Sequence, residues 1–293
     1  MKKSLAIKVC GMRRPDNIRA VAQLPIDYMG FIFYPKSSRY VEMESSGTGL
    51  LPDTANAEIS SAGYAGKAAA ICKVGVFVDD SVQNILTRVV NFGLGAIQLH
   101  GNETPTFIRN LRATMVPDIS PELKVFKAIS IASAADFGKC AQYDGLVDMF
   151  VFDTKCLGYG GSGQQFDWSV LNAYTGTTPF LLSGGIGEDD AQRILSISHP
   201  LMAGVDLNSR FETEPAVKDV ERLSRFVAQL KQYNIQIKHN QYEPNKPIVF
   251  RAWRPQVVVA VFLRRLSQAR YDSRRHTDTT AQGHRHDRGG HTL

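Results

Sequence analysis

The 293-residue chain is 43% hydrophobic and 21% charged, an ordinary globular composition that suffices for one large domain or two small ones. No apolar run approaches the ~18–20 residues of a membrane-spanning helix, and Arg13, Arg14 and Asp16 follow the opening "MKKSLAIKVC" too soon for a secretory signal, so a cytoplasmic protein is expected. The net charge of +6 is uneven: residues 233–293 hold 11 Lys/Arg against 4 Asp/Glu, while residues 1–232 hold 23 against 24, so the basic character says nothing about what the main domain binds.

Short β-branched or apolar runs alternate with amphipathic stretches along the first 232 residues. Strands are expected at 5–9, 28–33, 71–77, 95–99, 123–129, 148–152, 179–182 and 203–207. Helices are expected at 15–23, 80–92, 104–114, 133–142, 167–175, 188–197 and 215–232, with Asp80-Ser81 and Glu188-Asp189 as acidic or capping residues at two of the starts. Strict alternation implies a parallel sheet with crossover helices. Eight βα units in this length favour an α/β fold of the (β/α)₈ TIM-barrel type over an open doubly wound sheet. The second unit is the weak one: residues 41–70, rich in Ser, Gly and Ala, predict a long surface excursion with a short helix near its end.

The barrel pattern stops near residue 235. Residues 1–232 are therefore assigned to one barrel domain. Residues 233–293 are assigned to a basic tail, mostly disordered, because its last 20 residues or so are too polar to bury a core.

In a βα barrel the active site lies at the carboxyl ends of the strands. Strand one ends at Cys10, and strand two leads into "YPKSSRY" with Arg39. Strand four ends at Gln98 and His100, strand six at Asp153, strand seven in "SGGIG" and strand eight in "VDLNSR". Each residue alone has a plainer reading. A strand-terminal cysteine is usually a packed thiol, and an aspartate after a strand usually shapes a turn or caps a helix. A histidine before glycine can bond the loop backbone. Their joint placement on one rim points to a site. The glycines at 160–163 and 183–187 either permit tight turns or let backbone amides approach a ligand. Loops after strands seven and eight commonly hold a phosphate in this fold, using backbone N–H groups and a helix start. Candidate binding positions are Gly163, Gly184, Gly185, Asp206, the Ser209 hydroxyl and Arg210. Cys10, Cys72, Cys140 and Cys156 form no C-x-x-C pair and no histidines stand at zinc spacing, so neither a structural metal nor a disulfide is expected.

Taken in order, "KVCGM" (8–12), "GFIFYPKSSRYV" (30–41), "VGVFVD" (74–79), "IQLHGNE" (97–103), "FDT" (152–154), "GGSGQQFDW" (160–168), "LLSGGI" (181–186) and "GVDLNSRFE…P…KD" (204–219) resemble the phosphoribosylanthranilate isomerases of tryptophan biosynthesis. The resemblance spans roughly residues 3–230. It implies a (β/α)₈ barrel that performs an Amadori rearrangement of a phosphosugar amine without a cofactor. It also implies that Cys10 is the general base, Asp153 the general acid and Arg39 the partner of the anthranilate carboxylate. Arg13 and Arg210 depart from common family residues, and neither replaces a catalytic one.

Two other readings differ in class. One is another phosphate-binding barrel, such as an indole-glycerol-phosphate synthase, whose site depends on lysines at strand ends; here Lys8 is expected to alternate away from Cys10 along strand one. The other is a non-catalytic barrel whose basic tail contacts nucleic acid. Residues 272–293 contain no Phe, Tyr or Trp for base stacking, which argues against it.

Overall fold

A computed structural model describes residues 5–42, 71–115, 119–154 and 167–231. Residues 43–70 of the expected excursion, the 160–163 glycine loop with Gly163, Cys156 and the expected tail lie outside the described residues.

Eight parallel strands close into a barrel in chain order: β1 (Ala6–Val9), β2 (Tyr28–Ile32), β3 (Cys72–Phe77), β4 (Ala96–Leu99), β5 (Lys124–Ile131), β6 (Met149–Thr154), β7 (Phe180–Ser183) and β8 (Met202–Leu207). The closing register sets Lys8 opposite Asp206, and Ser183 opposite Asp206 on the other side. Every expected strand is present, with ends shifted by no more than two residues. The strands are readable because both faces of a parallel barrel strand are buried, which selects dense runs of Val, Ile, Leu and Phe.

Side-chain alternation separates two apolar layers. Val74, Ala96, Phe126, Val151 and Leu181 fill the barrel interior. The larger layer, including Ile7, Val9, Ile97, Val125, Phe152 and Val205, packs under the surrounding helices. Those helices are α1 (Pro15–Val21), α2 (Val82–Phe92), α3 (Pro105–Met115), α4 (Ala191–Ser196) and α5 (Val220–Lys231). Ser81 caps α2 by accepting the Asn84 N–H at 3.2 Å, and Gly93 ends it in the left-handed conformation at φ 56°.

Three expected helices differ in kind. Residues Ala134–Tyr143 and Trp168–Ala173 form 3₁₀ turns, and the stretch after β7 is a 3₁₀ turn, Glu188–Asp190, running into the short α4. The helix expected over 215–232 starts only at Val220. Residues Glu212–Glu214 (β9) and Val217–Lys218 (β10) form an antiparallel hairpin before it. Pro215 disfavours helical backbone at Glu214, and Ala216 turns the hairpin at φ 70°. Asp219 then caps α5, its Oδ1 accepting the Arg222 N–H at 3.0 Å. At the far end of α5, Lys231 Nζ reaches Asp27 Oδ2 at 3.0 Å, and that oxygen also accepts the Ile7 N–H at 2.8 Å. The last helix is thereby fastened to the base of β1. None of the described helices is long and apolar enough to cross a membrane.

Candidate active site at the carboxyl end of the barrel

Above the apolar interior the barrel turns polar. Cys10 directly follows β1, its N–H donating to Leu207 O at 2.8 Å, and its side chain is almost fully buried. Lys8 lies two residues earlier and so faces the same way; strand period places residues i and i+2 on one side. The expectation that Lys8 alternates away from Cys10 is therefore wrong. Lys8 Nζ lies 2.9 Å from both Asp206 oxygens, with both side chains buried. Asp206, a candidate ligand contact from sequence, thus has its carboxylate engaged by Lys8 inside the barrel.

Burial pushes the Cys10 thiol above its ordinary pKa; Lys8 and Lys218 oppose this, and Asp206 adds to it. Burial works against the Lys8 ammonium too, but Asp206 and Cys10 outweigh it and hold its pKa above the lysine value. Lys8 therefore keeps a positive charge beneath the thiol. A cysteine so placed is a proton acceptor only once ionised, and the buried cations are the groups that favour ionisation.

Asp153 projects from the end of β6 across the rim. Its Oδ2 lies 3.9 Å from His100 Nε2, and Gln98 Nε2 lies 2.9 Å from His100 Nδ1. With the Gln98 amide donating to Nδ1, a neutral His100 carries its proton on Nε2, toward Asp153. Gln98 Oε1 is buried with no hydrogen-bond partner among the described residues. The loop that carries His100 is held from below. Glu103 accepts the N–H groups of Asp79 (3.0 Å) and Gly101 (3.1 Å), and buried Lys127 donates to Gly101 O (2.8 Å) and to Glu103 (3.2 Å).

The loop after β7 brings Gly184 and Gly185 to the rim, both in the left-handed region, at φ 95° and 67°. A Cβ on Gly184 would come within 2.2 Å of Thr154 O and 2.8 Å of Asp153 Oδ1, so the loop passes close to the Asp153 carboxylate. The expected helix start after this loop is not open to an anion. Asp190 Oδ2 already accepts the Gly187 N–H at 2.8 Å, and Glu188, Asp189 and Asp190 crowd the turn. Ser209 and Arg210 begin the 3₁₀ turn after β8 and are exposed; the Arg210 carbonyl accepts from Arg222 Nη1 at 3.3 Å.

Arg39 is not a free cation. Its Nε donates to Glu212 Oε1 and Oε2 at 2.9 and 3.0 Å, and its Nη2 to Oε2 at 2.5 Å. Glu212 Oε1 also accepts from Lys218 Nζ at 2.6 Å, and that ammonium donates to Asn208 Oδ1 at 2.9 Å. Sequence reasoning missed Glu212, Lys218 and Lys8. The first two lie in a segment that reads as loop and helix, and the hairpin that turns them inward has no strong local signal.

A (β/α)₈ barrel that carries a buried thiol, a carboxylate and a glycine-rich loop at the carboxyl ends of its strands has the architecture of a barrel enzyme. The family model described as N-(5'phosphoribosyl)anthranilate (PRA) isomerase matches residues 7–229. The N-(5'-phosphoribosyl)anthranilate isomerase of Phocaeicola vulgatus is 46% identical over 228 residues, covering 78% of this chain and 98% of its own. That of Parabacteroides distasonis is 44% identical over 226 residues, covering 77% and 93%. The crystal structure of phosphoribosyl anthranilate isomerase from Thermotoga maritima superposes with a TM-score of 0.61 at 26% identity, covering 78% of this chain and 99% of that one. The chain belongs to the phosphoribosylanthranilate isomerase family.

Proposed function

We propose that the chain converts N-(5-phosphoribosyl)anthranilate to 1-(2-carboxyphenylamino)-1-deoxyribulose 5-phosphate, the isomerisation step of tryptophan biosynthesis, in the cytoplasm. Family membership along the barrel supports the reaction. The single geometric feature that carries the residue roles is the placement of Cys10 and Asp153 on one rim, at the ends of β1 and β6.

The steps follow from the chemistry. Asp153, as the acid, donates a proton to the ribose ring oxygen; the C1′–O bond breaks and the anilino nitrogen forms an iminium with C1′. That iminium acidifies the C2′ hydrogen. Cys10, as thiolate, takes the C2′ proton, and the C–H electron pair moves to form the C1′–C2′ double bond of an enolamine. Tautomerisation then places a proton on C1′ and removes one from the C2′ hydroxyl, leaving the C2′ ketone. The substrate gains and loses two protons in all, and exchange with water returns a proton to Asp153 and takes one from Cys10, so both groups are restored. Gly184, Gly185 and Ser209 are assigned to the phosphate and Arg39 to the anthranilate carboxylate. Arg210, exposed beside Ser209, is available to the phosphate as a cation.

Residues 1–232 are proposed to hold the whole activity. The purified protein, given N-(5-phosphoribosyl)anthranilate, is expected to form the ribulose product with no ring closure to an indole. Absence of that product, or direct indole formation, would overturn the reading.

A further inference from the structure

We infer that Glu212 and Lys218, on the β9–β10 hairpin, are a positioning pair that aims Arg39 and sets the charge of its pocket, making the pocket selective for an aromatic carboxylate. The inference rests on the proposed isomerase reading and on Arg39 as the carboxylate's partner.

Glu212 is the hub of the cluster. Its two oxygens accept three contacts from Arg39, one from Lys218 and the Ala216 N–H at 3.2 Å. Its side chain is 5% exposed and that of Lys218 is 0% exposed, whereas Arg39 keeps 21% of its surface. The buried carboxylate therefore grips the partly exposed guanidinium from behind. The grip consumes the Nε and Nη2 edge. On the other side, Arg39 Nη1 has only Ser38 Oγ, at 3.5 Å, among the described residues. A guanidinium recognises a carboxylate best through a fixed planar edge, and Glu212 fixes that plane.

The charges reinforce the geometry. Two cations share one carboxylate, so Arg39 and Lys218 together carry one positive charge more than Glu212 balances; the neighbouring Lys8–Asp206 pair is closed, and Cys10, whose charge acts on both cations, is the other anion in reach once ionised. An incoming carboxylate meets that excess at its Arg39 end. The hairpin itself is anchored: Asn17 Nδ2 donates to Lys218 O and Asn17 Oδ1 accepts the Lys218 N–H, both at 2.8 Å. The cluster also reaches the catalytic loop. A Cβ on Gly11, next to Cys10, would lie 2.7 Å from both Arg39 Cδ and Asn208 Oδ1.

The test compares kcat/KM for N-(5-phosphoribosyl)anthranilate with that for the aniline analogue lacking the carboxylate. In the wild type the ratio should favour the carboxylate by roughly 10- to 100-fold, the range of a charge-assisted contact. Arg39→Ala should abolish that preference, and Glu212→Gln should reduce it at least several-fold through KM, with the double variant no worse than Arg39→Ala alone. Should Glu212→Gln not fold, Glu212→Asp, which keeps the charge and withdraws it by one methylene, gives the same reading. A wild-type ratio retained in Glu212→Gln while Arg39→Ala loses it overturns the positioning role alone. A ratio unchanged in Arg39→Ala removes the carboxylate assignment, and no turnover by the wild type removes the isomerase reading.

Discussion

Lys8 and Asp206 form a closed, buried ion pair directly beneath Cys10, with Nζ 2.9 Å from each carboxylate oxygen and the thiol on the same side of β1. The pair sets the field in which the thiol ionises. Lys8 lowers the Cys10 pKa and Asp206 raises it. Lys8→Met should therefore move the rising limb of kcat/KM against pH to higher pH, because less thiolate is present at any given pH. It should also cost about 3–5 kcal/mol of stability by leaving Asp206 buried and unpaired. Lys8→Met combined with Asp206→Asn should recover part of that stability and return the limb toward its original position. pH–rate profiles and denaturant melts of the two variants check both effects.

Glu212 links the site to acid stability. Burial works to raise its pKa, but Arg39 and Lys218 outweigh this and hold it below the usual carboxylate range. A carboxyl with a depressed folded pKa contributes stability above its unfolded value, about 4.3, and loses it as pH falls through the folded value. Wild type should exceed Glu212→Gln in unfolding free energy near pH 7. The gap should narrow below about pH 4, as Glu212 takes up its proton. Urea melts across that range would show a constant gap if the carboxylate's charge had no part in it.

The two rim glycines should fail differently. Gly184 sits at φ 95° with Thr154 O in the way of any Cβ. Gly184→Val is thus expected to lower stability by about 1–3 kcal/mol or more, and to impair turnover by shifting the loop against Asp153. Gly185, at φ 67°, has open space where a Cβ would stand. Gly185→Val should cost about 1–2 kcal/mol for its backbone conformation and mainly raise KM, by blocking backbone approach to the phosphate. Thermal melts and steady-state kinetics separate the two.

The barrel was legible because each strand is an apolar run with polar residues at its carboxyl end, and closed parallel strands leave few other patterns. Cys10, His100 and Asp153 could be placed on one rim from strand ends alone. Lys8 could not be read as a site residue while strand parity was misjudged; counted in steps of two it shares the face of Cys10. Glu212 and Lys218 were hidden for a different reason. Their burial comes from a hairpin of five strand residues, held by tertiary contacts to Arg39, Asn208 and Asn17, and in "ETEPAVK" only Pro215, which disfavours helix before it, hints at the hairpin locally. Lys127 and Glu103 went unassigned for a similar reason: each is a charge whose burial under the His100 loop comes from its tertiary partner, Lys127 Nζ lying 3.2 Å from Glu103 Oε2.

Truncation after residue 232 should preserve activity and cooperative unfolding. It keeps all eight barrel strands, the β9–β10 hairpin, α5 and the Lys231 contact to Asp27 at the base of β1. Complementation of an isomerase-deficient tryptophan auxotroph by residues 1–232 checks it, and loss of folding in that fragment would move the domain boundary.

The proton-transfer roles are tested most directly by the kinetic isotope effect on C2′-deuterated N-(5-phosphoribosyl)anthranilate in Cys10→Ser and Asp153→Asn. Each variant should lose about 10²–10⁴ in kcat, the range for general acid–base groups. In Cys10→Ser, proton removal from C2′ becomes limiting and a primary isotope effect should appear. In Asp153→Asn, ring opening becomes limiting and the effect should be smaller. Full activity in Cys10→Ser, or an isotope effect as large in Asp153→Asn as in Cys10→Ser, would contradict Cys10 as the base and Asp153 as the acid.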